Sequence, residues 1–347
     1  MYKRQNQNYG IRITSDASTN AIGGIVAGEG NLISGHKPGT WGYGILLASA
    51  SSVGTTVMGN IIGPQKNGST FLTGSVQSRA IGISNSPNNI IGGNTPGARN
   101  IISANDIFGI VIDGASSNGN IIKGNYIGTD STGTTFITGS TQNTGVLINT
   151  TCGGSNTIGG SGAGEGNLIS GNTTTGVLLN VSGSGNILAS NIIGPQNNGT
   201  SFLANVQDYG VQILNSANTI IGGSVAARNI ISANDVYGLY ITGASSTGNS
   251  VKSNYLGASS ALNTIAGSGQ DYGLYIDNSA DNNTIGGVLA GEANVMAYNT
   301  LNGSFVTGAA TNGNKISGSP HYTNVGKPIN LNNSGNNNKA KPVITYA

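Results

Sequence analysis

The chain has 347 residues, of which 58 are glycine, and charged residues make up only 7%. The formal net charge of +2 has no basic cluster behind it, which argues against a nucleic-acid partner. A single cysteine, Cys152, excludes an internal disulfide, and no apolar run reaches the length of a membrane span.

Taken in chain order, Met1-Tyr2-Lys3-Arg4-Gln5 does not fit the pattern of the remaining chain, and reads as the translation of a transposon end that is not native. Residues 1–7 are a non-repeat stub. From residue 8 to 322 one motif recurs, a small residue followed by apolar–any–apolar. It reads Gly10-Ile11-Arg12-Ile13, Gly44-Ile45-Leu46-Leu47, Ala80-Ile81-Gly82-Ile83, Gly109-Ile110-Val111-Ile112 and Gly145-Val146-Leu147-Ile148. It continues as Gly176-Val177-Leu178-Leu179, Gly210-Val211-Gln212-Ile213, Gly238-Leu239-Tyr240-Ile241, Gly273-Leu274-Tyr275-Ile276 and Gly303-Ser304-Phe305-Val306. Starts lie 28 to 36 residues apart, a period that marks a solenoid. Between copies, short apolar pieces alternate with Gly, Asn, Ser and Asp, which suit turns, and none has helical periodicity. The expected architecture is all-β: a parallel β-helix of about ten coils, each with about three short strands, stacked into a rod roughly 48 Å long.

Asparagine pairs with one common spacing recur as Asn100/Asn105, Asn120/Asn125, Asn186/Asn191 and Asn229/Asn234. At the bends of stacked coils such amides hydrogen-bond their counterparts above and below. Ile-Gly-Gly turns at Gly23, Gly92, Gly159, Gly222 and Gly286 recur every two coils. Asn60 to Gln65 returns as Asn191 to Gln196, and Ile101 to Asp106 as Ile230 to Asp235, which points to tandem duplication of a four-coil block.

The pattern Gly-Ile-x-Ile…Asn-x-Ile-x-x-Asn resembles the right-handed parallel β-helices, the pectate-lyase-like solenoids. Gly97-Ala98-Arg99-Asn100-Ile101-Ile102-Ser103 and Asn125-Tyr126-Ile127-Gly128-Thr129-Asp130 resemble a subgroup in large secreted or surface proteins of bacteria. The resemblance implies an extracellular or cell-surface setting. It also implies that residues 323–347 form an exit segment towards a following β-sandwich, so that the chain is an internal fragment. No activity carries over residue by residue.

Many β-helices of this kind act on polysaccharides, using a pair of carboxylates about 5 to 10 Å apart or a base with Ca2+. The 12 acidic residues here contain no adjacent Asp pair, and His36 and His321 lie at opposite ends of the rod. No catalytic set is assigned, and no Cys/His metal spacing occurs. One acidic pattern stands out: Asp208, Asp235 and Asp271 precede the strands of coils seven, eight and nine, each beside a tyrosine (Tyr209, Tyr237, Tyr272). Asp106 repeats this at coil four. Stacked carboxylates raise one another's pKa or attract a cation such as Ca2+, while the plain reading is turn capping.

The middle residue of each motif faces outward. That ladder runs Arg12, Leu46, Gly82, Val111, Leu147, Leu178, Gln212, Tyr240, Tyr275 and Phe305, too apolar for open water. The long excursions 65–78, 129–143 and 196–207 are candidates to fold over it, as are a subunit interface or a further domain. Tyr240, Tyr275 and Phe305, with Asp277 on the same face, make a strip on which a sugar chain could lie. The leading reading is a rigid, non-catalytic stalk or adhesive surface. The alternative is a carbohydrate-binding or polysaccharide-degrading β-helix acting through coils seven to ten, its partner a polysaccharide or cell-surface glycan.

Overall fold

The computed structural model describes residues 8–338 except 16, 37–41, 74–76, 151 and 205–206. The readings of Met1–Gln5 and of residues 339–347 lie outside the described residues. Three parallel sheets form a β-solenoid, with eleven strands among the described residues in the first sheet and ten in each of the others. Strands of the first sheet carry the repeated motif, as in Tyr43–Ala48, Phe108–Asp113 and Tyr237–Thr242. The second and third sheets have strands of two or three residues, such as Ile121–Ile122 and Tyr126–Ile127. Among the described residues helix is limited to three short 3-10 turns, Pro96–Ala98, Val225–Ala227 and Gly335–Asn338.

The repeat becomes a fold because each inward position stacks on itself. Ile110 pairs with Ile81 and Val146, and Ile112 with Ile83 and Ile148, all fully buried at 0% exposure. One aliphatic core therefore runs the length of the rod. The small residue before each strand has a steric reason. A Cβ on Gly109 would lie 2.5 Å from the Gly145 carbonyl oxygen and 3.1 Å from the Gln142 amide. At Gly128 a positive φ of 96° closes the turn, and a Cβ there would collide with the Ser170 carbonyl of the next coil.

Each corner carries a column of buried carboxamides. Between the second and third sheets the side chains of Asn31, Asn60, Asn100, Asn125, Asn167, Asn191, Asn229, Asn254 and Asn294 bond in an unbroken ladder at 2.8 to 3.1 Å. Between the third and first, Gln77, Asn105, Gln142, Asn172, Gln207, Asn234, Gln270, Asn299 and Asn324 do the same at 2.7 to 3.1 Å. Asn89, Asn120 and Asn156 begin a third column, which resumes through Asn249, Asn283 and Asn314. Seven of the eight asparagines singled out by their spacing sit in these columns, and the eighth, Asn186, stands at the gap of the third, where its Oδ1 accepts the Asn156 backbone N–H at 3.0 Å.

Two expectations are corrected. The β-helix continues past residue 322: Ile329–Asn332 pairs with Asn302–Thr307 as the eleventh strand of the first sheet. Among the described residues the excursions do not cover the first sheet. They stack on each other two coils apart, Ser131 N–H on Gly68 O, Asn197 on Gly133 and Ser260 on Gly199. They lie over the third sheet, where Gly133 meets Tyr126 and Leu168, and Gly199 meets Ile192. Their departure point at the end of a third-sheet strand makes that the shorter return.

Asn125 donates to Ile91 O at 2.8 Å and Asn167 Oδ1 at 3.0 Å, and accepts from Asn100 Nδ2 at 2.9 Å. An orphaned buried polar group costs about 1–3 kcal/mol, so Asn125→Leu should lower the unfolding free energy by about 2–4 kcal/mol. Thr95→Ala, at an exposed turn, should change it by less than about 0.5 kcal/mol; urea titration of both variants checks the difference.

Candidate functional site

The outer face of the first sheet changes character along the rod. At coils two to five it is apolar but closed by its own side chains. Tyr43, Leu46, Val111 and Leu147 are 8% exposed or less. The Arg79 guanidinium lies 5.1 Å from the Tyr43 ring and 5.5 Å from that of Phe108. Gly82 leaves the space that the Tyr43 ring fills.

From coil seven the face is built differently. Two columns of rings stand side by side, all half-buried. Tyr209, Tyr237 and Tyr272 form one; Tyr240, Tyr275 and Phe305 form the other. Within the first, Tyr209 stacks on Tyr237 at 5.5 Å, and Tyr237 meets Tyr272 at 5.4 Å. Within the second, Tyr240 meets Tyr275 edge-on at 5.6 Å, and Tyr275 stacks on Phe305 at 5.0 Å. The columns interlock through Tyr237, 4.9 Å from Tyr240 and 4.7 Å from Tyr275. Polar residues bound the patch: Gln212 pairs with Tyr240 at one end, and at the other Asn302 pairs with Tyr272 and Asn330 with Phe305.

The predicted residues Tyr240, Tyr275 and Phe305 are thus brought together. The preceding tyrosines, read as packing beside acids, belong to the same surface. Their strand pairing shows why: Tyr209 pairs with Tyr237 and Val211 with Leu239, and the intervening glycine is skipped. The residue before the glycine therefore faces outward together with the residue three further on, which period-two counting misses.

The four predicted acids divide between the two edges. Asp277 lies at the strand end, and its Oδ2 accepts the Tyr240 hydroxyl at 3.1 Å, while its Oδ1 is buried without a partner. Burial, with the Asp277 charge adding, pushes Tyr240 up to about 12. Burial also takes Tyr237 to about 12. On the other edge, Asp208 is raised above the ordinary carboxylate range by burial and then by the charge of Asp235. Asp271 is occupied differently: its Oδ1 accepts the Thr300 hydroxyl at 2.5 Å, as Asp106 accepts Thr141 at 3.1 Å in coil four. The acidic pattern is therefore one interacting pair, Asp208 and Asp235, and two carboxylates tied to the threonine of the next coil.

Elsewhere, His321 is lowered by burial and hydrogen-bonded to Ser304 at 2.9 Å, in line with the end of the core. Burial raises the Cys152 thiol to about 12, which leaves it unreactive. Among the described residues no three His, Cys, Asp or Glu side chains converge as a metal site, and no helix is long and apolar enough to cross a membrane.

No family model matches the chain, and no curated protein matches it. Among solved structures it is similar to the periplasmic alginate epimerase AlgG, at 14% identity and a TM-score of 0.49, over 88% of this chain and 58% of that one. It is also similar to the A-module of the Azotobacter vinelandii mannuronan C-5 epimerase AlgE6, at 12% identity and a TM-score of 0.31, over 86% of this chain and 67% of that one. What these structures share with the chain is the parallel β-helix, right-handed in the epimerases.

The raised pKa of Asp208 has a sign that can be checked. A carboxyl raised on folding contributes stability below the ordinary carboxylate pKa, and that contribution is lost as pH rises through the raised value. At pH 7 the ionised group opposes folding. Asp208→Asn should therefore match or exceed the parent in thermal midpoint at neutral pH, with the advantage vanishing near about pH 3. A lower midpoint for the variant at pH 7 would refute this.

Proposed function

We infer that this chain is a polysaccharide-binding β-helix working outside the cytoplasm, with the glycan lying lengthwise on the six-ring face of coils seven to ten. The six rings carry the reading. Aromatic surfaces with hydroxyls at their rims suit the apolar faces and equatorial hydroxyls of sugars. Successive rings are about 5 Å apart along the rod, comparable to the span of one pyranose ring.

Comparison of the duplicated blocks supports it. Between coils three to five and seven to nine the core positions stay apolar and the corner positions stay Asn or Gln except at Asn89, which is Thr219 in the second block, while the outward positions change character. Arg79, Phe108 and Thr144 give way to Tyr209, Tyr237 and Tyr272, and Gly82, Val111 and Leu147 to Gln212, Tyr240 and Tyr275. The aromatic face is thus a departure from the repeat, confined to one half of the rod. The other coils supply rigid length, which keeps the stalk role within the same reading. A polysaccharide-cleaving reading would rest on Asp208 and Asp235, two carboxylates on successive coils at the edge of the face.

A panel of polysaccharides, with and without Ca2+, scored for retention and for new chain ends, tests both. Retention without new ends is expected, falling more than about tenfold in Tyr240→Ala and in Tyr275→Ala. Tyr322→Ala, on the third sheet, should leave it unchanged. New ends abolished by Asp208→Asn or Asp235→Asn would establish the cleaving reading in its place. Absence of retention across the panel would leave the chain a stalk.

A further inference from the structure

The charges around the aromatic face deepen that reading, and the inference rests on it. Asp208, Asp235 and Asp271 line one edge at successive coils, Asp235 standing one residue before the register of the other two, since Tyr237 pairs with Tyr209 and Tyr272 and so sets Val236 level with Asp208 and Asp271, and Asp277 sits on the other edge. Asp235 is exposed, and Asp208, Asp271 and Asp277 are half-buried. Among the described residues the cation that the register brings towards this patch is Lys327, exposed beside Asn302 beyond the last ring. Arg12 and Arg79 share the sheet but stand at coils one and three, over Tyr9, Tyr43 and Phe108. Lys252 belongs to the second sheet and is paired with Glu292 at 2.8 Å. A chain of net charge +2 therefore presents an anionic aromatic strip at one end of one face.

We propose that this strip takes a polysaccharide bearing protonated amines, a largely deacetylated hexosamine polymer, in preference to a neutral glucan or a polyuronate. The rings take the apolar sugar faces and the flanking carboxylates take the ammonium groups that recur along such a polymer. A polyuronate would set its own carboxylates against Asp208, Asp235, Asp271 and Asp277, at a cost in like-charge repulsion. General attraction of a polycation to the whole molecule is opposed by the chain's positive net charge.

The test is retention of the full chain on four polymers at about pH 5.5: a deacetylated glucosamine polymer, its N-acetylated form, a neutral β-glucan and a polyuronate, each at about 50 mM and about 500 mM salt. The expected result is strongest retention on the aminated polymer, weakened at high salt. It should fall about fivefold in the double variant Asp208→Asn/Asp235→Asn. It should fall more than about tenfold in Tyr240→Ala, which leaves the charge intact. Equal or stronger binding of the neutral, acetylated or uronate polymer, or indifference to the Asp variants, overturns the amine preference while leaving the aromatic platform standing. Binding of the aminated polymer that survives Tyr240→Ala, or no retention on any polymer, overturns the platform itself. Circular dichroism of each variant distinguishes lost binding from lost fold.

Discussion

Along two corners of the rod, and along part of the third, a buried carboxamide donates to the carboxamide of the next coil, and this contact decides what the rest of the chain can be. A corner turns the backbone away from sheet pairing and leaves polar groups in a dry interior, where each unpaired group is costly. An amide side chain answers in both directions, since it donates and accepts along the axis. The geometry admits little else. The small residue of each first-sheet motif is small because the carbonyl of the next coil, and beside it a corner amide, pass close by, as the Gly145 oxygen and Gln142 pass Gly109. The core beside the amides is aliphatic and stacked residue on like residue. The low charge of the chain results, because few positions are free to carry one.

That freedom is confined to the outward positions, and the candidate site uses it. A substitution of Val111 by tyrosine, as at the equivalent Tyr240, disturbs neither the inward aliphatics nor the ladders. Function on such a rod is written on the outside of one sheet, across several coils at once. A site built this way is a strip. It suits a linear ligand longer than one coil, and its rigidity comes from the core beneath it and from no loop of its own.

The sequence displayed the periodic part of this structure and concealed the parts where the period breaks. Strand register and the corner asparagines were legible because stacking forces like residues into line. Tyr240, Tyr275 and Phe305 were legible as outward residues of a period-two strand. Tyr209, Tyr237 and Tyr272 were not, because the skipped glycine reverses which side a residue faces. The last strand escaped notice because Pro328 stands where a small residue is usual, and Ile329-Asn330-Leu331-Asn332 reads as irregular. The excursions were legible as loops, but their resting place depends on third-sheet contacts such as Asn197 with Tyr126, 71 residues apart in the chain.

The ladder between the third and first sheets alternates glutamine and asparagine through Asn299, with a glutamine in each coil that carries an excursion. The excursions in turn rest on one another across the plain coil between them. Loss or gain of a single coil would leave one excursion without its neighbour two coils away. Two coils can be removed or added with every contact restored. This rod is therefore lengthened or shortened by even numbers of coils, so natural length variants of it should differ in steps of about 65 residues, the interval between Gly159 and Gly222 or Gly23 and Gly92.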